Sequence, residues 1–146
     1  MGTGLSVHAE EQTFTRINSI EELNDGDRFI VVNEQFKAAP SEWSGTKYFK
    51  YTTLDLSEGK AIARDKVATF TLEKTTSTKY YYLKTADGLY LSNGSTSSSA
   101  NVTALKSIPD NTSMATIAID KTHAEIVFEN KVKKAFLFAE GTGFSC

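Results

Sequence analysis

The sequence predicts an all-β fold: a closed barrel of three imperfect repeats, the last of them truncated. Three observations point there. Apolar residues alternate with period two along much of the chain, turn residues recur at short intervals, and one nine-residue segment returns in similar form 47 residues later. Period-two alternation puts one set of side chains on a core and the other in water, the pattern of a half-buried strand. No stretch keeps a 3.6-residue apolar period for three turns.

The ends of the chain come first. Residues 1–9 (MGTGLSVHA) differ in character from the rest. Val7 and Ala9 occupy the positions a signal peptidase reads, with Glu10-Glu11 opening a mature chain. Residues 1–9 are therefore read as a signal-peptide remnant or a disordered tag. Residues 10–146 are read as one domain of a secreted or cell-surface protein. At the other end, Cys146 is the single cysteine. It is read either as a thiol for a disulfide partner outside the chain or as a buried cysteine without chemistry.

Between these ends the elements follow in order. Residues 12–17 (QTFTRI) alternate cleanly and form the first strand. Ser19 and Glu22 have capping-box spacing, and Asn24-Asp25-Gly26-Asp27 stops the helix after one turn. A β-branched and aromatic run at 29–32 is the next strand. Residues 40–58 are read as an insertion, after which residues 60–64 supply a fourth strand. Residues 68–73 and 80–83 are strands, and Ala86-Asp87-Gly88 turns the chain into another at 89–91. Residues 92–100 (SNGSTSSSA) read as a polar loop too poor in apolar surface to order itself. Strands at 115–120, 125–128 and 135–138 complete the count, with a turn at 130–133 and both prolines, Pro40 and Pro109, in loops.

The repeat carries the architecture. Residues 67–75 (VATFTLEKT) match residues 114–122 (MATIAIDKT), and strand, turn and strand follow each in the same order. A weaker copy begins at residue 13. Repeats of this length, three or four strands each, call for a symmetric β architecture, and three copies fit the closed β-trefoil. Closure also removes exposed strand edges. The third copy stops at Cys146, where a further strand is due.

Composition narrows function. Sixteen basic residues against 18 acidic ones give a net charge of −2, unlike the strongly basic footprint of nucleic-acid binders. No apolar run reaches the ~20 residues of a membrane-spanning helix. One cysteine and two histidines leave no metal-site spacing, and no cofactor motif is present. The carboxylate pairs Asp55/Glu58 and Asp25/Asp27 lack calcium-loop spacing and read as solvated turns. Asn93, Asn101 and Asn111 each open a glycosylation sequon.

Two motifs carry a resemblance. Ile20, Leu23, Gly26, Asp27, Ile30 and Val31 form an opening, and Tyr81, Leu83, Lys84, Gly88, Tyr90 and Leu91 form a hairpin. Together they resemble trefoil-like or β-barrel accessory modules of secreted and surface proteins of gut bacteria, and the hairpin is also similar to lectin-like β-trefoil repeats. The resemblance implies a non-catalytic binding module, for carbohydrate or another surface ligand, set among further domains of the same protein. An architectural or protein-interaction domain of a larger secreted protein is the alternative.

The candidate ligand-binding residues are aromatic, because an aromatic face suits the C–H surface of a sugar ring. Trp43, Tyr48 and Tyr51 lie in the insertion, where a loop displays aromatics on a scaffold or folds as a flap over the barrel end. Tyr81 and Tyr90 lie on the hairpin strands, where cross-strand packing is the competing role.

Overall fold

A computed structural model describes residues 11–146, so the reading of residues 1–9 lies outside the described residues. The fold is all-β. Its strands are β1 (Gln12–Thr15), β2 (Arg28–Phe29), β3 (Ala38–Trp43), β4 (Phe49–Thr53), β5 (Asp55–Ser57), β6 (Lys60–Ala63), β7 (Phe70–Lys74) and β8 (Tyr81–Thr85). After them come β9 (Tyr90–Asn93), β10 (Thr103–Lys106), β11 (Ala115–Ile119), β12 (Ala124–Phe128), β13 (Lys134–Ala135), β14 (Leu137–Ala139) and β15 (Gly143–Ser145). The expected helical turn is a 3₁₀ turn at Ile20–Glu22, where the Ser19 N–H donates to the Glu22 carboxylate at 3.0 Å.

The strands pair antiparallel in three sheets: β1-β6-β5, β14-β15-β4-β3, and a larger sheet running β10-β9-β8-β11-β12-β13. In the larger sheet β7 pairs with β8 and carries β2 on its other edge. β8 is the branch point. One edge pairs with β7 along all five residues, while the other meets β11 at Tyr81 and β9 at Lys84. Among the described residues no sheet closes on itself.

The two matching segments start similar units. β7, β8 and β9 form one antiparallel meander, and β11, β12 and β13 form another. Phe70 and Leu72 are buried in the first, and Ile117, at the position matching Phe70, packs against the core in the second. The weak first copy differs, because β1 pairs with β6 and β2 with β7. The 12 residues between β1 and β2, with their 3₁₀ turn, make no tight hairpin.

Three expectations are corrected. The insertion at 40–58 is not a loop: β3 and β4 form a hairpin inside the four-stranded sheet, and Pro40 is buried in β3. The strand count does not end at residue 138, since Gly143–Ser145 forms β15, which pairs with β14 and meets β4 at Phe144↔Phe49. Gly143 permits that contact. Its φ is +148°, and a Cβ there would fall 1.9 Å from the Phe49 carbonyl oxygen.

The third correction concerns the serine-rich stretch. Ser92, Asn93 and Ser95 are fully buried. The Ser95 N–H donates to Asn93 Oδ1 at 2.8 Å, and Asn93 Nδ2 donates to the Val132 carbonyl at 2.9 Å. Asn130 Nδ2 donates to the Asn93 and Ser95 carbonyls, each at 2.8 Å. Ser92 and Ser113 hydroxyls lie 2.7 Å apart. Hydrogen-bonded burial orders this segment where apolar burial does not.

The core is aromatic. Phe49, Phe70 and Phe136 meet edge-to-face with centroids 5.6–6.2 Å apart, closed by Phe144 and by Leu83, Leu91 and Phe128. Phe136 splits the expected strand at 135–138 into β13 and β14 by turning its ring into this core. Such pairs add ~0.5–1.5 kcal/mol each beyond the area they bury.

Candidate functional site

Antiparallel register gathers side chains that are far apart in sequence. Arg28 lies opposite Thr71, Thr71 opposite Lys84, and Lys84 opposite Tyr90. Directly opposed residues share a face, so these four form one row across β2, β7, β8 and β9. The next row holds Glu73 opposite Tyr82. Their strand neighbours Phe29, Phe70, Leu72, Leu83 and Leu91 lie on the other face. The row therefore points to solvent.

The cluster is internally bonded. The Tyr90 hydroxyl donates to both Glu73 oxygens, at 3.1 and 3.2 Å. Lys84 Nζ lies 3.4 Å from Glu73 Oε2 and 5.2 Å from the Tyr90 ring centroid. Tyr82 and Tyr90 meet edge-to-face at 5.5 Å. The Glu73 carboxylate first, then Tyr90, pushes the Lys84 ammonium pKa above its ordinary value. Both charged side chains remain more than a third exposed, so the ion pair contributes little to stability. What it does is hold two aromatic rings, a carboxylate and an ammonium in fixed relation on an open surface.

A shallow groove of about 380 Å³ continues this face past Arg28, lined by Gln12, Thr13, Phe14, Arg28 and Thr69. Among the described residues no group of three His, Cys, Asp or Glu side chains is placed to hold a metal ion, and no helix is long and apolar enough to cross a membrane.

The five aromatic candidates are dispersed. Tyr90 belongs to the cluster above. Tyr81, on the opposite face of β8, packs against the core and lines a second small groove with Lys74, Thr75, Ser77 and Thr78. Trp43 packs its ring edge-to-face on Phe49 at 5.2 Å, also against the core. Tyr48 is half-buried in the turn between β3 and β4, its carbonyl accepting from the Ser44 N–H. Tyr51 is 38% exposed and stands edge-to-face on Phe138 at 4.9 Å, with Phe36 on the same ring at 5.5 Å. Glu73, Tyr82, Lys84 and Arg28 were not among the candidates. Alternation through Lys84 carried the signal for Tyr82, since residues 82 and 84 share a face and 81 does not.

Cys146 is buried in the core, 2% exposed, with its N–H donated to Thr103 Oγ1 at 2.9 Å. Burial pushes its thiol pKa up to about 12. That placement matches the reading of a buried cysteine. The sequon at Asn93 is likewise buried, its side-chain amide committed to Val132. Comparison with protein-family models, with curated proteins and with solved structures finds no match.

Proposed function

We propose that this chain is a non-catalytic carbohydrate-binding module of a secreted or cell-surface bacterial protein, folded on a trefoil-like plan of repeated units. The observation that carries the reading is the open face of Glu73, Tyr82, Lys84 and Tyr90. Aromatic rings offer faces to the C–H surface of a pyranose, and the fixed carboxylate and ammonium accept from and donate to its hydroxyls. Pre-organisation lowers the ordering cost of binding. Both oxygens of Glu73 are engaged by Tyr90 and one lies beside Lys84, an arrangement that orients hydroxyls rather than transfers protons. The trefoil-like plan rests on the two successive meanders that open with residues 67–75 and 114–122.

A glycan array followed by titration calorimetry tests the reading, with Tyr82→Ala and Tyr90→Ala as variants. Binding lost in both, with thermal unfolding unchanged, is the expected result. Binding that survives both substitutions removes the assignment. Trp43→Ala is a poor probe here, because its ring packs on Phe49 and its loss reports on folding.

A second reading, a protein-interaction domain, is favoured by Phe36, Tyr51 and Leu137, which leave 38%, 38% and 65% of their surface in water. Pull-down of a partner domain abolished by Leu137→Glu, with no glycan bound, would establish it instead.

A further inference from the structure

We propose that the ligand of this face is an anionic oligosaccharide, its acidic group taken by Arg28 and a neutral ring by Tyr82 and Tyr90. The inference deepens the carbohydrate reading and rests on it. It comes from the cross-strand row Arg28–Thr71–Lys84–Tyr90. Three inter-strand steps of ~4.8 Å place Arg28 about 14 Å from Tyr90, both on the solvent face. A single sugar does not span that distance, and a short oligosaccharide lying across the strands does.

Among the described residues, the charges along the row are not balanced alike. Lys84 is matched by Glu73 at 3.4 Å. The nearest acidic side chains in sequence to Arg28 are turned into backbone donors: Asp27 accepts from the Asn24 N–H at 2.8 Å and Asp25 from the Lys74 N–H at 2.7 Å. Arg28 instead lines the groove, beside the Thr13, Thr69 and Gln12 side chains. A guanidinium presents a planar fork of donors that fits a carboxylate or a sulfate through paired hydrogen bonds, and the neighbouring hydroxyls and amide donate to the remaining oxygens. Thr71 stands between Arg28 and Lys84 with a small polar side chain, which leaves the row open for a chain to cross.

The test measures affinity for three ligands of matched length: oligogalacturonate for the carboxylate, a chondroitin sulfate oligosaccharide for the sulfate, and a neutral β-galactan oligosaccharide. Intact protein, Arg28→Gln and Tyr90→Ala are compared by calorimetry at low and at 0.5 M salt. At least one anionic ligand is expected to bind about tenfold tighter than the neutral one, the worth of a charge-assisted pair. Arg28→Gln erases that preference while keeping the neutral affinity, added salt weakens the anionic ligand selectively, and Tyr90→Ala weakens all ligands. Which acid binds identifies the group. Equal affinity for acidic and neutral ligands, or an anionic preference that survives Arg28→Gln, overturns the inference and leaves the carbohydrate reading standing. Failure of every glycan to bind overturns both.

Discussion

Replacing Asn93 by alanine removes a fully buried amide and leaves its partners in place. Asn93 Oδ1 accepts from the Ser95 N–H at 2.8 Å and Nδ2 donates to the Val132 carbonyl at 2.9 Å, with a longer contact of 3.4 Å to the Phe128 carbonyl. The first two groups then lose their partner, and an unmet buried polar group costs ~1–3 kcal/mol, so the substitution costs about 2–6 kcal/mol. A domain is stable by only ~5–15 kcal/mol, so this is a large fraction of the whole. Urea unfolding followed by Trp43 fluorescence and far-UV circular dichroism measures it, with coincident transitions as the two-state check. With an m-value of ~2 kcal/mol per molar, the midpoint is expected to fall by about 1–3 M. Ser97→Ala, in the exposed part of the same stretch, is the control and stays within ~0.5 kcal/mol. If Asn93→Ala moves the midpoint no further than Ser97→Ala, the buried polar clamp is not what orders residues 92–100, and the reasoning fails.

Three further outcomes follow from the same geometry. Gly143→Ala sets a Cβ against the Phe49 carbonyl at a positive φ, and a loss of more than about 3 kcal/mol in the same urea assay is expected; a neutral result would mean β15 does not approach β4 so closely. The Cys146 thiol, pushed up to about 12, is expected to react with a disulfide reagent at pH 8 more than about a hundredfold slower in the native protein than in urea, and equal rates would contradict its burial. Asp110 and Asp120 are each lowered to about 2, the first chiefly by Lys106 and then Thr112, the second by the Thr122 and His123 N–H groups. A depressed carboxylate contributes its stability in full above its ordinary value near 4 and loses it as pH falls through 2. Stability is thus expected to drop between pH 4 and 2, and the double variant Asp110→Asn/Asp120→Asn to show a shallower drop over that window.

The strands that alternate were legible in the sequence because alternation is local. Residues 12–17, 68–73 and 115–120 show it, and each holds a strand. The turn at Asp87-Gly88 was legible for the same reason: Gly88 adopts φ +85°, a conformation that glycine takes freely. β3, β4 and β15 were not legible. Ala38-Ala39-Pro40 and Gly143-Phe144-Ser145 carry no strand pattern of their own, and become strands because Thr52, Tyr51 and Phe49 lie opposite. The serine-rich stretch misled for the opposite reason. Its composition is that of a loop, and partners distant in sequence, at Ser113, Asn130 and Val132, bury its first half from Ser92 to Ser95.

The candidate site divides along the same line. That Tyr82 and Lys84 share a face follows from the pleat, a property of neighbouring residues that any sequence with this alternation carries. That Arg28, Glu73 and Tyr90 stand beside them follows from the pairing of β2, β7, β8 and β9, whose register is chosen by burial of Phe70, Leu72, Leu83 and Leu91 on the other face. Local chemistry thus determined which residues turn outward. The core, by selecting one register among many, decided which outward residues meet.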